Sequence, residues 1–352
     1  MCRIVTLNSV ITHCTASITN SEEDDIPMTG NARNKLGERL SIRQFARGVD
    51  EPDWVEVLNA AYKEFELWWR ATTAEEMFLQ EKSPTYDFEG RFIASINEKP
   101  VGIVHAHVDK LRKEKKGFIH TLCVVPEYRG LGVEEKLLEL AVNELKKRGM
   151  DSVQSWSDHR RNDRIQLLEA NSFETVRTES DMEMDLSGIP TNIGENLQVN
   201  ILPLQKNVEK DIETLIWLYN ESFKDHFNYR PITIGEVRHL LTEDPRYTEQ
   251  EYFFAEMNQE MVGFAGLGID EKLNTEKNIK VGFVNILGVL KSFRRKGIGT
   301  RLMLHALERT KAKGMTKALL DVDDFNLTEA KKLYEKIGFK VVKKYLFCEK
   351  SL

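Results

Sequence analysis

The chain repeats itself, and this constrains its fold more tightly than any single motif. Pro84, Tyr86, Phe92, Ala94 and Gly102 recur as Pro245, Tyr247, Phe253, Ala255 and Gly263 at a constant shift of 161 residues. GFIHTLCVVPEYRGLG, from Gly117, recurs as GFVNILGVLKSFRRKG, from Gly282, at a shift of 165, so a four-residue insertion separates the two blocks. Both copies close their central helical pattern on a glycine, Gly149 and Gly314. Identities held at fixed offsets over such a span imply one supersecondary unit built twice.

The local patterns agree. In the first copy Leu40, Ile42 and Phe45 suggest a strand, and Val55, Leu58, Ala61, Tyr62 and Phe65 form one helical face. Phe92 to Ile96 and Val101 to Val108 alternate around Asn97-Glu98-Lys99 as a hairpin. Phe118 to Val125 predicts a strand, Leu137 to Lys147 a helix, Val153 to Trp156 a strand, and Arg164 to Ala170 a helix. Thr175 to Leu186 predicts a strand pair or one long strand. The second copy opens on a strand at Leu197 to Leu204 and a helix at Glu209 to Phe223, with Ile212, Leu215, Ile216, Tyr219 and Phe223 on one face. A hairpin at Tyr252 to Glu256 and Met261 to Gly268 follows. The expected fold class is α/β, with each copy a twisted mixed β-sheet flanked by helices.

With 352 residues, the chain has room for two ordinary domains. Residues 1–38 carry an acidic run at Glu22 to Asp25 and no periodicity, which predicts a mobile tail. A first domain at 39–187, a linker at 188–196 rich in glycine, proline and asparagine, and a second domain at 197–352 follow. Met28 is a candidate start codon. A net charge of −6 argues against a nucleic-acid binder that relies on overall charge. No apolar run reaches membrane-spanning length. Cys2, Cys14, Cys123 and Cys348 have no metal spacing and read as reduced thiols of a cytoplasmic protein, with no metal expected. The basic run Lys110 to Lys116 reads as a solvated hairpin rather than a nucleic-acid patch.

The chemistry concentrates in LGVLKSFRRKGIGTRLMLHALERTKAKG, Leu287 to Gly314. An apolar strand ends, a cationic turn Arg294-Arg295-Lys296 follows, and Gly297 and Gly299 precede a helix. Helix N-termini carry unpartnered N–H groups and partial positive charge, and glycine lets a phosphate approach the backbone. A P-loop string is absent. A dinucleotide fingerprint would need glycine where Leu302 stands, although Asp321 lies at a suitable distance for its acidic residue.

A third reading is a resemblance. Leu287, Val289, Arg294, Gly297 and Gly299 fill the pattern Leu-x-Val, short turn, Arg/Gln-x-x-Gly-x-Gly/Ala. Asn326, Ala330, Tyr334, Gly338 and Phe339 fill a second signature downstream. Both look like the acyl-CoA motifs of the GCN5-related N-acetyltransferase (GNAT) superfamily. From about residue 40 the chain resembles a tandem GNAT protein, in the layout of mycothiol synthase.

The resemblance implies a transferase: an N-acetyltransferase using acetyl-CoA as acyl donor. Leu287, Gly288 and Val289 would pair with the pantetheine arm, and the Val289 N–H or its neighbour would face the developing oxyanion. Arg294, Arg295, Lys296, Gly297, Ile298, Gly299 and Thr300 would hold the diphosphate. Asn326 would bond near the pantetheine arm or cap the following helix. Tyr334 would protonate the leaving thiolate, unless it is a core tyrosine. Where several family members place a general-base Glu, this chain has Phe283, and Phe118 in the other copy. Asp321 and Asp323 share a strand face, and Asp323 and Asp324 lie just before Asn326, so Asp323 is the candidate base; a solvated acidic strand end is the plainer reading.

The first copy has departed from the motif. Glu134 stands at the glycine or alanine position, either opposing a phosphate or turned outward as an early-helix acid. Leu168, Ser172 and Arg160 replace Tyr334, Gly338 and Asn326. Chemistry is therefore expected in the second copy, on a primary amine of a small molecule or peptide. The acceptor groove is expected around His226, Phe227, Tyr229 and Arg230, with Phe227 and Tyr229 as substrate contacts. Trp68 and Trp69 read as domain packing or as groove lining. A non-catalytic acyl-CoA-binding or regulatory protein is the alternative.

Overall fold

The computed structural model describes residues 40–63, 70–190, 198–243, 246 and 249–352. The expected tail, most of the linker, Trp68, Trp69, Pro245 and Tyr247 lie outside them. In chain order the first repeat gives β1 (Leu40–Gln44), α1 (Glu51–Tyr62), α2 (Ala74–Gln80), β2 (Arg91–Ile96), β3 (Lys99–Val108), β4 (Lys116–Val124), α3 (Val133–Lys147), β5 (Ser152–Asp158), α4 (Asn162–Ala170) and β6 (Glu174–Asp185). The second gives β7 (Asn200–Pro203), α5 (Glu209–Phe223), α6 (Ile234–Thr242), β8 (Glu249–Met257), β9 (Glu260–Ile269), α7 (Glu271–Lys277), β10 (Val281–Val289), α8 (Ile298–Ala312), β11 (Lys317–Asp323), α9 (Ala330–Ile337) and β12 (Lys340–Ser351). The α/β class is as expected, and Thr175 to Leu186 resolves into one long strand, β6.

Helices α2 and α6 are additions to the sequence reading, although each carries a signal. Thr73 and Thr233 accept the N–H of Glu76 and Glu236, whose carboxylates bond back to the Thr N–H. Thr-x-x-Glu is the capping-box pattern. It escapes a periodicity search because α2 has 7 residues and α6 has 9.

The chain divides into two compact units that do not follow the repeat boundary. The second-repeat unit comprises Arg177–Tyr345 with Lys82–Thr85; the other holds Tyr86–Val176 and Leu346–Leu352, together with the described residues between Leu40 and Glu81. Most of β6 thus belongs to the second-repeat unit and the end of β12 to the other, so the division falls ahead of the boundary read at residue 187. In the first unit the strand order is β1-β2-β3-β4-β5 and then the end of β12. There Leu352 donates to the Asp151 carbonyl at 2.9 Å, and Glu349 pairs with Lys116 at 2.6 Å. In the second unit the order is β6-β11-β10-β9-β8-β7, with β10 parallel to β11 and β6 antiparallel to β11.

Each unit has its own apolar core. Trp54, Leu58, Ile93, Ile103, Leu137 and Leu145 are among those buried in the first. In the second, α5 and α6 cover one sheet face through Leu215, Tyr219, Phe223, Leu240, Phe264 and Ile286. Helices α8 and α9 cover the opposite face through Met303, Leu307, Tyr334, Ala318, Leu320 and Val322.

One irregularity recurs and shapes both units. Opposite β9, β10 pairs Val284 with Leu267 and then Ile286 with Gly266, so Asn285 is an extra residue. Opposite β3, β4 pairs Ile119 with Ala106 and then Thr121 with His105, so His120 is extra. His120 and Asn285 stand 165 residues apart, the shift of the sequence repeat. A bulge bends its strand. Pairing of β10 with β11 accordingly stops at Phe283 and Leu319, and that of β4 with β5 at Ile119 and Ser155. Beyond those points each parallel pair opens into a cleft.

Candidate active site

In the second unit the cleft becomes a cavity of about 380 Å³, lined by Leu287, Gly288, Val289, Gly297, Gly299, Thr300, Asp321, Asn326 and Tyr334 among others. Its strand edge follows from ladder geometry. Leu290 N–H donates to the Val262 carbonyl at 2.9 Å, and Val289 stands opposite Gly263. Antiparallel ladders alternate, so Gly288 also turns its backbone groups to β9, while Leu287 and Val289 turn theirs into the cleft. Gly288 is required there: a Cβ would lie 2.5 Å from Phe264 Cε1 and 3.1 Å from Phe223 Cε2.

The helix end is equally bare. Gly297 caps α8 in the left-handed region, φ +87°, with no side-chain cap bond. The first bond to this cap runs from Arg301 N–H to the Gly297 carbonyl at 3.0 Å, so Ile298, Gly299 and Thr300 have N–H groups without helical partners. Among the cationic residues, Arg295 pairs with Glu329, and Lys296 lies 4.8 Å from the Phe293 ring centre. Arg295 and Lys332 hold the Glu329 carboxyl down to about 2. Arg294 is used by the fold: it donates to the Val289 carbonyl at 3.0 Å and the Ser222 carbonyl at 2.7 Å. Arg129 does the same in the other unit, to Val124 and Ala61.

Past β11 the loop is anchored by β6. Thr178 and Ser180 donate to Asp324 at 2.8 and 2.7 Å, and Lys331 pairs with it. Asp323 accepts Arg177 at 2.8 Å and the Phe325 N–H at 3.0 Å. Asn326 Oδ1 accepts both the N–H and the hydroxyl of Thr328, which fixes its side chain at the cavity wall. Tyr334 is 7% exposed, packs with Phe339 and lines the cavity.

The residues expected in the acceptor groove separate. His226 lines the cavity, its ring edge-on to Phe223 at 4.7 Å, and burial lowers its imidazole to about 4. Phe227 lies 5.1 Å from the Arg177 guanidinium. Tyr229 packs with the α5–α6 core and donates to Asn220 at 3.4 Å. Arg230 is committed to a buried pair with Glu236 at 2.6 Å. Phe283, 6% exposed, offers no proton acceptor at the strand position. Sequence reasoning missed Arg177 and Glu179, because nothing in the second repeat indicates that a strand of the first lies beside β11.

The first unit's cleft is smaller, about 140 Å³, and is lined by Arg129, Glu134, Arg161, Asp163 and Arg164. Glu134 faces this cavity rather than solvent. Burial raises its carboxyl, and one oxygen is buried without a hydrogen-bond partner. Leu168, the counterpart of Tyr334, is wholly buried in the core.

Comparison with known proteins decides the family. The profile of the Acetyltransferase (GNAT) family matches residues 54–171 and again 212–339, more than half of the chain. The chain belongs to the Acetyltransferase (GNAT) family. It is a tandem member of this acyltransferase family, with the motif cleft in each copy. Mycothiol acetyltransferase of Renibacterium salmoninarum is 25% identical over 223 residues, covering 62% of this chain and 63% of the relative. That of Thermomonospora curvata is 26% identical over 134 residues, 38% of this chain and 44% of its own. The chain therefore spans about half the length of the curated relatives it matches. In fold it is similar to a tandem GNAT protein from the clavulanic acid biosynthesis pathway, at a TM-score of 0.67 and 12% identity over 89% of this chain and 98% of that one. A GCN5-related N-acetyltransferase of Sphaerobacter thermophilus gives a TM-score of 0.66 at 17% identity, over 89% and 96%. Among the described residues no helix is long and apolar enough to cross a membrane.

Proposed function

We propose that the second unit transfers an acetyl group from acetyl-CoA to a primary amine of a small molecule or peptide. The observation that carries this is convergence: the open edge of β10, the bare N-terminus of α8 and the Tyr334 side chain all meet one cavity. Leu287 offers its backbone N–H and carbonyl to the amides of the pantetheine arm, as a sheet edge receives a strand. The N–H groups of Ile298, Gly299 and Thr300, with Arg295 and Lys296 beside them, face the diphosphate. The Val289 N–H steadies negative charge on the thioester oxygen. Tyr334 gives a proton to the departing thiolate.

Thiol release from acetyl-CoA across an amine panel tests the reading. Tyr334→Phe should lower turnover about 100-fold or more while leaving CoA affinity within about threefold. Undiminished turnover in that variant would remove Tyr334 from the mechanism. Phe283 in the usual base position favours a second reading, acyl-CoA binding without turnover. A parent protein that binds acetyl-CoA but releases no thiol with any amine would select it. Cys123 and Cys348 are buried free thiols whose ionisation burial opposes, and we assign the protein to the cytoplasm on that ground.

A further inference from the structure

Strand β6 brings chemistry that the family motifs do not contain. Its pairing with β11 sets Glu179 opposite Asp323 and Asp181 opposite Asp321. Residues two apart on a strand share a face, so these four carboxylates stand on one side of the strand pair. That side faces away from α8 and α9, because Ala318, Leu320 and Val322 are the residues packed with Met303, Leu307 and Tyr334. Asp321 and His226 line the cavity.

The carboxylates differ in what they touch. Asp323 is held by Arg177 and the Phe325 N–H. Glu179 is 6% exposed and has no hydrogen bond or ion pair among the described residues. Burial and the like charges of Asp321, Asp323 and Asp181 push its carboxyl up to about 8. A carboxyl tuned near working pH suits proton transfer. Arg295, Lys332 and Lys336 lie along one part of the cavity lining, the first two paired with Glu329, and Asp321, opposite Asp181 on β6, lies along another.

We propose that Glu179, carried on β6 of the first repeat, is the general base, and that the acceptor is an amine bearing a second cationic group which Asp181 and Asp321 attract. The inference rests on the acyl-transfer reading above. Glu179 takes one proton from the acceptor ammonium. The freed nitrogen bonds to the thioester carbonyl carbon, and the C–S bond breaks. Tyr334 protonates the thiolate and recovers its proton from the new amide nitrogen, while Glu179 returns its own proton to solvent.

The full chain is assayed with putrescine and spermidine, and with benzylamine as a single-charge control, alongside calorimetry with acetyl-CoA. Putrescine or spermidine should be acetylated with a kcat/KM about tenfold or more above benzylamine, as an added ion pair at a cavity wall requires. Glu179→Gln should lower kcat for that amine about 100-fold, leave acetyl-CoA affinity within about threefold, and abolish the break near pH 8 in the kcat profile. Glu179→Asp should restore the break at reduced kcat. Asp181→Asn should raise KM and spare kcat. A parent that binds acetyl-CoA but prefers benzylamine overturns the acceptor class. A Glu179→Gln variant that keeps both kcat and the pH break overturns the base. A parent that fails to bind acetyl-CoA would instead defeat the acyl-transfer reading.

Discussion

Replacing Gly299 by glutamate separates the stability of the fold from the electrostatics of the proposed diphosphate site, because the two effects have opposite signs. Gly299 is the second residue of α8, whose first turn carries no acid. A Cβ there would meet Leu333 Cδ2 at 3.5 Å, Leu287 Cδ2 at 3.6 Å and Val289 Cγ2 at 3.8 Å, all ordinary contacts. The fold therefore accepts a side chain. Removing a helical glycine gains about 0.5 kcal/mol, and an acid in a first turn adds ~0.3–1 kcal/mol. The melting temperature should hold or rise.

Ligand binding should move the other way. A carboxylate about 5 Å from a phosphate charge costs roughly 1–3 kcal/mol, between bulk-water and surface dielectrics. Two charges on a diphosphate bring this to ~2–6 kcal/mol, which is about 30-fold or more in affinity. Glu134 already places such a group in the first unit's cleft. Gly299→Gln keeps the bulk and removes the charge, so it should recover most of the loss. Titration calorimetry with CoA at low and high salt, beside thermal melts, reads all of this. A Glu variant that binds CoA as well as the parent, or a Gln variant equally impaired, would refute the electrostatic argument.

Three further outcomes follow from particular side chains. Arg294→Lys cannot reproduce the bonds to Val289 and Ser222, so denaturant unfolding should show a loss of ~1–3 kcal/mol; weaker CoA binding with unchanged stability would mean that Arg294 serves the ligand instead. His105 and His120 are held neutral by burial, well below their ordinary value. Below about pH 6.5 the unfolded chain binds protons that the folded first unit refuses, so stability should fall by up to ~1.4 kcal/mol per pH unit per histidine. Glu179 has the opposite sign: the folded chain keeps a proton that the unfolded chain releases, so the second unit should weaken as pH rises from about 4.5 towards 8. Urea midpoints across pH 5–8 for the parent, His120→Asn and Glu179→Gln would expose either sign if wrong.

Much of this molecule is legible in its sequence. The repeat, the strand-glycine-helix motif and the decay of the first copy are local in sequence, and local chemistry constrains them. A helix beginning behind Gly297 exposes its N–H groups wherever it packs. Glu134 disfavours a phosphate from its motif position alone. Arg294 was legible as a motif residue but not as a brace, because its partners are two backbone carbonyls, one of them at Ser222. Helices α2 and α6 escaped only because a periodic pattern needs more turns than either possesses.

The pairing of the last strands was decided elsewhere. β6 and β12 are both long strands, and nothing in their residues names a neighbour. Sheet partners are set by which edges are open and which faces must be buried once everything else has packed. That tertiary choice sets Glu179 and Arg177 beside β11, and with them the acidic wall near the cavity. The sequence by itself determined that an open strand edge beside a bare helix N-terminus would form in the second repeat, because backbone geometry there follows from neighbouring residues. Only the tertiary structure decided which carboxylate stands beside that cleft, because long-range strand pairing carries no local signature.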